Sequence, residues 1–219
     1  ESATVRLEYL EIVDPATMQP VTAIAGAVRV AAALWVGSTR LIDNVLVGDP
    51  APPRIRVASA ADAPALARLI NDAFVVEAFF KIGDRTSVAE IVELMQPGEF
   101  LVSEDASVAL TGCVYLKCSG ERAYFGMLSI DPPRQGRGRG RRLIEAAETR
   151  AREHGCHVMD IHIVNLREEL PAYYRRLGYV EKGTLPFSDP SRASQPCHFV
   201  VMTKTIGEQA SVLSTKERS

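Results

Sequence analysis

The chain has 219 residues, a formal net charge of −2, 47% hydrophobic residues and 24% charged residues. That length holds one domain of ordinary size with an added piece, and a domain of ~150 residues buries roughly 70% of its unfolded surface, enough for a normal core. The slightly acidic balance excludes bulk nucleic-acid binding through a basic face, and the longest clean apolar run, Val30 to Val36, is far short of the ~20 residues of a membrane-spanning helix.

The four cysteines, Cys113, Cys118, Cys156 and Cys197, form no C-x-x-C pair and have no histidine cluster beside them. No metal site and no disulfide framework are expected, and the thiols read as reduced in a cytoplasmic protein. No basic-then-apolar leader opens the chain.

In chain order, residues 1–50 hold two apolar strand candidates. They stop at Gly48-Asp-Pro-Ala-Pro-Pro53, where three prolines can continue neither a helix nor a central strand. A linker is placed at 51–54. Some 45 residues of this kind cannot bury enough surface to stand alone, and the run from Val28 to Val36 would expose Leu34 and Trp35. The segment is expected to dock against the following domain, a second copy or an upstream domain.

The main domain is placed at 55–206. Ile55 to Ala58 is strand-like. A helix follows with Asp62 near its start, Pro64 in its first turn and Leu66, Leu69, Ile70, Ala73 and Phe74 at helical spacing. Ser87-x-x-Glu90 is a capping box that opens a second helix, with Val88, Ile91, Val92 and Met95 as its expected buried face. Strands follow at Glu99–Ser103, Ser107–Lys117 and Arg122–Ile130, joined by hairpin-like breaks. A helix from about Gly138 to His154 precedes a strand at Val158–Val164. A helix from about Arg167 to Leu177 carries Glu168 and Glu169 in its first turn and Arg175 and Arg176 in its last, matching the helix dipole. Strands near Tyr179–Gly183 and His198–Thr205 close the domain, and a polar tail occupies 207–219. The order β-α-α-β-β-β-α-β-α-β-β combines hairpins with crossover helices and predicts an α/β fold with a mixed sheet flanked by four helices.

The sharpest signal is Gln135-Gly-Arg-Gly-Arg-Gly140, which joins a strand to a helix. Its glycines let the backbone turn tightly, and the helix N-terminus that follows offers unpaired N–H groups to an anion such as a pyrophosphate. Arg137, Arg139 and Arg141 add charge. The G-x-G-x-G spacing differs from the dinucleotide fingerprint, the P-loop pattern is absent, and the amphipathic helix that follows at once argues against a disordered basic segment.

The stretch from Leu128 to Leu143, LSIDPPRQGRGRGRRL, resembles the acetyl-CoA-binding signature Q/R-x-x-G-x-G/A of the GNAT superfamily, with Gln135, Gly138 and Gly140 on its named positions. Tyr174-Arg-Arg-Leu-Gly-Tyr179 resembles the family's Y-x-x-x-G-[FY] helix end. The resemblance covers about Ile55 to Ile206 and implies the GNAT acyl-CoA N-acyltransferase fold with acetyl-CoA as co-substrate. It implies that backbone groups of Leu128, Ser129 and Ile130 bind the pantetheine arm like an added strand. It further implies that amides from Gly136, Arg137, Gly138, Arg139, Gly140 and Arg141 hold the pyrophosphate, and that Asn165 contacts the cofactor arm.

The implied reaction is direct attack of an amine on the thioester. The Leu128 N–H is the candidate donor to the developing oxyanion. Tyr174 is the candidate general acid, weighed against simple packing in the stripe Leu170, Tyr173, Tyr174 and Leu177; Tyr173 is the fallback and is expected to face the core. The base stays open among Glu77, Glu121, His157, His162 and a water chain. Phe79, Phe80 and Lys81 could line an acceptor pocket or form a hydrophobic lid.

Two runs in the N-terminal piece, Tyr9-Leu-Glu-Ile-Val-Asp-Pro15 and Val36-Gly-Ser-Thr-Arg-Leu-Ile-Asp-Asn44, resemble the C-terminal end of pantothenate synthetase (pantoate–β-alanine ligase) over about Leu7 to Val47. The ATP-binding motifs of that family lie upstream of the resembling part, so this chain alone is not expected to ligate pantoate to β-alanine. The expected function is acetyl transfer to a small-molecule amine, with no nucleic-acid or membrane partner, and the exposed N-terminal strands favour a homodimer. The alternatives are a non-catalytic coenzyme A-binding module and the C-terminal part of a pantothenate synthetase–acetyltransferase fusion.

Overall fold

The computed structural model describes residues 5–15, 17–24, 27–47, 53–105, 109–136 and 138–207. Contacts divide the chain into two compact units, residues 1–53 and 54–219. Residues 51 and 52 of the expected linker, and the expected tail past Gly207, lie outside the described residues.

The first unit is an antiparallel sheet of β1 (Val5–Val13), β2 (Val28–Val36) and β3 (Thr39–Val47), with β2 in the middle. It has three strands where the sequence pattern suggests two. Gly37 and Ser38 make a two-residue turn, with Gly37 at φ 60, and return Thr39–Val47 along β2. A bulge between Leu7 and Tyr9 shifts the register by one residue, which keeps Leu7 and Leu10 on the same face although they are three apart. That face is mostly apolar, from Val5 and Leu10 through Leu34 to Leu41 and Val45, and is broken by Thr39 and Asp43 on β3. The opposite face is mixed, with Arg6, Arg29, Arg40 and Asn44 among Trp35, Ile42 and Leu46. There the Glu8 carboxylate accepts hydrogen bonds from Trp35 Nε1 at 2.8 Å and from Arg40 Nε at 2.9 Å. Those bonds hold the exposed Glu8 carboxyl down near 2.

The second unit begins with β4 (Arg54–Val57), α1 (Ala63–Phe74) and α2 (Val88–Leu94), then β5 (Glu99–Glu104), β6 (Leu110–Ser119) and β7 (Arg122–Ile130). It continues with α3 (Arg139–Glu153), β8 (Val158–Val164), α4 (Glu169–Arg176), β9 (Val180–Pro186) and β10 (His198–Thr205). The sheet order is β4-β5-β6-β7-β8-β10-β9, with β7 and β8 parallel and every other neighbouring pair antiparallel. The element order and the mixed sheet agree with the sequence pattern.

Alternation along the central strands feeds two cores, one on each face. Leu101, Val114, Leu116 and Phe125 pack with Leu143, Ile144 and Ala147 of α3 and Tyr174 of α4. Phe100, Val102, Cys113 and Tyr115 pack with Leu66, Leu69 and Ile70 of α1 and Ile91 of α2.

The capping box of α2 forms as the sequence predicts: Ser87 N donates to Glu90 Oε2 at 2.8 Å and Glu90 N donates to Ser87 Oγ at 3.2 Å. Its buried face differs from the expected one. Val88 and Val92 are 44% and 40% exposed, and the stripe that meets the core is Ile91, Leu94 and Met95. A helix of seven residues has two turns, so one i, i+3, i+4 set covers its contact and the remaining valines face out. All four cysteines are free thiols, with Cys113 and Cys156 buried.

One buried polar network ties α3 to the far edge of the sheet. Glu148 of α3 is 6% exposed. It accepts from the Tyr179 hydroxyl at 2.8 Å and from Lys204 Nζ at 2.8 Å. Removing the carboxylate strands the buried Tyr179 hydroxyl and the half-buried Lys204 ammonium, whereas removing the hydroxyl leaves the ion pair in place. Glu148→Ala is expected to cost about 3 kcal/mol and Tyr179→Phe about 1–2 kcal/mol in urea unfolding. An equal loss in the two variants would show that the ion pair contributes nothing.

Candidate functional site

The parallel pair β7–β8 is joined at only three positions, Arg122↔Val158, Ala123↔Met159 and Tyr124↔Asp160. Beyond Tyr124, β7 continues along β6 to Gly112↔Ile130, and β8 continues along β10 to Val164↔Phe199. The two strands therefore part. Among the described residues, the facing edges of Phe125–Ile130 and Ile161–Val164 have no ladder partner across the gap. A register irregularity between Cys113 and Tyr115, with Met127 at φ 50, marks where β7 bends away. Backbone N–H and C=O groups in such a gap need a partner, which a bound extended molecule supplies.

The glycine loop closes the end of β7. Gln135 Nε2 donates to Ile130 O at 3.1 Å and so fixes the loop against the strand it leaves. Gly136 and Gly138 have φ of 82 and 71, in the left-handed region, so an L side chain there would be strained although the space is open. Gly140 differs: an added Cβ would meet Ile130 and Leu128 only at ordinary contact distance. Gly138 caps α3, whose first amides point back along the loop. The Arg139 Nε is buried with no protein acceptor among the described residues. Arg141 is exposed and paired with Glu145 at 2.8 Å. Arg137 lies outside the described residues.

Leu128 and Ile130 pack their side chains on the α3 side of the sheet. Ser129 is buried, and its hydroxyl donates to Met127 O at 3.1 Å. Asn165, at the open end of β8, bonds to the first residue of β10: its N donates to His198 O at 3.0 Å, and its Oδ1 accepts from His198 N at 2.8 Å. Its side-chain oxygen is thus engaged in the fold, and its amide Nδ2 has no partner among the described residues.

Under the gap, on the α3 and α4 side, lies Tyr174. Its ring packs on Phe125, Tyr173 and Tyr179, with centroids 6.1, 5.2 and 5.8 Å away. Tyr174 is 8% exposed, yet its hydroxyl makes no hydrogen bond among the described residues and is absent from the fully buried unpaired groups, so it keeps contact with solvent. Burial, then the neighbouring Tyr173 and Tyr124, raises its pKa above the usual phenol value. Tyr173 packs partly against the same core, as expected, and is the more exposed of the two, with the Arg176 guanidinium 6.0 Å over its ring. Adjacent helical residues point about 100° apart, and α4 turns residue 174 inward.

On the other side of the gap are α1 and the segment that follows it. Tyr124, at the last paired position of β7, stacks on His162 of β8 with ring centroids 4.9 Å apart. Glu77 is 7% exposed and pairs through Oε1 with Arg167 Nη1 at 3.2 Å. Burial raises its carboxyl pKa, against the opposing pull of Arg85, Arg167 and Lys81. Burial also lowers the His162 pKa, with Asp160 opposing. The loop between β9 and β10 locks onto this segment: Ile82 N donates to Arg192 O at 2.9 Å and Ser194 N to Phe80 O at 2.7 Å.

Of the four base candidates, Glu77 and His162 stand at the gap. Glu121 and His157 sit at the opposite ends of β7 and β8, where His157 N donates to Glu121 O at 2.8 Å. Phe80 is fully buried and Phe79 is 55% exposed, with their rings edge-on at 5.0 Å between centroids. Lys81 Nζ is held by the Asp84 carbonyl at 2.6 Å. The sequence reading did not single out Arg85, Tyr124 and Arg167. An arginine just before the Ser87 cap and an arginine at the start of α4 carry no motif of their own, and only the fold brings them to Glu77.

Comparison with known proteins agrees with this geometry. Residues 96–181 match the family model described as acetyltransferase (GNAT) domain, and residues 1–46 match that of pantoate-beta-alanine ligase. Among solved structures, the ribosomal-protein-S18-alanine N-acetyltransferase from Escherichia coli superposes with a TM-score of 0.60 at 16% identity, over 73% of this chain and 97% of that one. The yncA protein from Salmonella typhimurium, solved with its cofactor acetyl-CoA, gives 0.58 at 23% identity over 73% and 96%. A phosphinothricin acetyltransferase from Sinorhizobium meliloti, in complex with AcCoA, gives 0.59 at 17% identity over 75% and 94%.

The sequence relatives match short stretches of the chain, 58 and 49 residues in the two that follow. A bifunctional pantoate ligase/cytidylate kinase from Synechococcus is 47% identical over 58 residues, 25% of this chain and 11% of that protein. A pantothenate synthetase from Acidobacterium capsulatum is 49% identical over 49 residues, 22% of this chain and 16% of that protein. The chain thus spans only 11% and 16% of the length of these relatives. The second unit has the GNAT acyl-CoA N-acyltransferase fold, and the first resembles a segment of the pantothenate synthetases.

Proposed function

We propose that the chain is an N-acyltransferase that moves an acetyl group from acetyl-CoA to the primary amine of a small molecule, by direct attack in a ternary complex. The observation that carries this reading is the parted β7–β8 pair, ended by a glycine loop and a helix N-terminus. The groups present fit acetyl-CoA. The unpaired strand edge at Leu128, Ser129 and Ile130 offers backbone partners to a pantetheine arm, and the Asn165 amide is one more donor beside it. The loop and helix amides between Gly136 and Arg141 suit a pyrophosphate, with Arg139 and Arg141 as the charged side chains beside them and Arg137 assigned to the same role from its place in the sequence. Gln135 holds the loop that presents them. The neighbours from Salmonella and Sinorhizobium, each solved with acetyl-CoA, support the same assignment.

Acetyl-CoA supplies a thioester at the gap. The attacking amine forms the new C–N bond as the C–S bond breaks. The Leu128 N–H donates to the carbonyl oxygen as it gains charge. Tyr174 donates its phenol proton to the departing sulfur, and its raised pKa keeps it protonated at every working pH. Glu77 takes the proton the amine loses, directly or through a water; His162 is the alternative at the same end of the sheet.

The match of residues 1–46 favours a second reading, in which this unit belongs to a pantothenate synthetase–acetyltransferase fusion. The Synechococcus relative, named as bifunctional, is a pantoate ligase that carries another activity. Residues 1–219 alone are expected to make no pantothenate from pantoate, β-alanine and ATP.

Calorimetry with acetyl-CoA and with coenzyme A tests the main proposal. The wild type is expected to bind both in the micromolar range, and Gly138→Asp, which strains the loop and adds a negative charge beside the pyrophosphate, is expected to lose both. A folded wild type that binds neither would end the acyltransferase reading. Tyr174→Phe is expected to lower kcat about 10²-fold with acetyl-CoA affinity kept; unchanged turnover would return Tyr174 to a packing role. The Glu77 carboxyl is ionised above its raised pKa and protonated below it. The acid limb of kcat/KM should therefore lie above the ordinary glutamate value of ~4.3 and vanish, with most of the rate, in Glu77→Gln. An acid limb that survives in Glu77→Gln would assign the base elsewhere.

A further inference from the structure

Three cations, Arg85, Arg167 and Lys81, act on Glu77, and Arg192 acts on Lys81 next to them; all but Arg85 are engaged in hydrogen bonds. Lys81 Nζ is held by the Asp84 carbonyl at 2.6 Å. Arg167 pairs with Glu77 at 3.2 Å and with Glu169 at 2.7 Å. Arg192 pairs with Glu90 at 3.3 Å and donates to the Asp84 carbonyl. Arg85 is the exception. Its guanidinium lies 5.1 Å over the Phe74 ring and has no hydrogen bond or ion pair among the described residues. It is half-buried and close enough to act electrostatically on both Glu77 and Tyr124.

A partly desolvated guanidinium with no hydrogen-bonded anion is costly, and stacking on an aromatic ring fixes its plane while leaving its N–H fork open. Glu77 is the complementary half. Only its Oε1 is used by Arg167, and Oε2 makes no hydrogen bond and keeps contact with solvent. One open carboxylate oxygen and one open guanidinium fork thus stand on the same side of the gap, beside Tyr124.

Resting on the acyltransferase reading above, we infer that the acceptor is a zwitterionic amine: its ammonium nitrogen lies against Glu77, and an oxyanion on the same molecule is held by Arg85. A carboxylate matches the planar fork best, which makes amino acids the substrate class. Arg85 is the residue that selects for it, while Glu77 receives the amine proton and so links selection to attack.

The test compares three acceptors of equal length: an α-amino acid, its aminophosphonate counterpart and its neutral amide. Activity is read as kcat/KM, and binding is read by calorimetry on the protein saturated with coenzyme A. The wild type is expected to prefer the two oxyanion-bearing amines. Arg85→Gln is expected to shrink that preference roughly 10- to 100-fold, the range of a charge-assisted hydrogen bond, in both readouts. Arg85→Lys should keep the charge and part of the preference, and it serves as the variant of record if Arg85→Gln melts below the assay temperature. A wild type that binds acetyl-CoA but prefers the neutral amide, or a preference untouched in both Arg85 variants, overturns this inference and leaves the acyltransferase reading standing. Absence of acetyl-CoA binding overturns both.

Discussion

The site depends on a ladder that stops. Three residue pairs hold β7 to β8, and from Tyr124 onward each strand follows its other neighbour. Without the parting, the edge at Phe125–Ile130 would be satisfied by β8 and no backbone group would be left to offer. With it, a strand-shaped slot runs from the last paired residues to the glycine loop. The bend at Met127 costs some backbone strain, since a positive φ at a non-glycine residue is unfavourable. The flanking strands hold the gap open: β10 keeps full register with β8, and β6 follows β7 through its irregularity as far as Ile130.

The slot also sorts the side chains. Alternation sends Phe125 to the α3 and α4 face and Tyr124 to the α1 face, so the two sides of the gap have different chemistry. Below, the neighbours are aromatic and apolar: Phe125, Tyr173 and Tyr179 around Tyr174. Above, they are charged: Glu77, Arg85 and Arg167 around the Tyr124–His162 stack. The segment after α1 would be loose on its own, because Val75, Val76, Phe79 and Ile82 are all more than half exposed. Phe80, fully buried, and the two backbone bonds to the β9–β10 loop hold it in place. The charged side of the site is thus positioned by residues from the last hairpin of the chain.

Much of this was legible in the sequence, and the unread parts share a cause. The strands at Val158–Val164 and His198–Thr205 fall where the pattern places them, because each is bounded by turns on both sides. The Ser87–Glu90 cap and the Gln135–Gly140 loop are local devices whose geometry is written in consecutive residues. The burial of α2, the inward turn of Tyr174 and the third N-terminal strand depend on what packs against them, and periodicity does not report that. Asn165 shows the same limit: its position at the end of β8 is legible, but its hydrogen bonds to His198 come from a residue 33 positions away. Arg85 and Arg167 belong to no motif, and Glu77 could be told from Glu121 only by knowing which ends of the strands part.

Burial acts on Tyr174 and Glu77 in the same direction, and in the proposed reaction it would serve opposite tasks. Desolvation favours the neutral form of each, so both pKa values rise. For a proton donor this is enough: an unpaired phenol in an aromatic pocket stays protonated and ready. For a proton acceptor, desolvation alone would disable the group, because a protonated carboxyl accepts nothing. Arg167, Arg85 and Lys81 pull the Glu77 pKa back, and the balance leaves a carboxylate more basic than one in water yet still able to ionise. Arg167 and Lys81 do this while engaged in hydrogen bonds of their own, and Arg85 does it with none among the described residues. In the proposed reaction, Arg85, with no hydrogen bond among the described residues, therefore has two effects: it tunes the base and it leaves its N–H fork open to a substrate anion, so the arrangement that makes the amine's proton acceptor also favours an amine that brings its own negative charge.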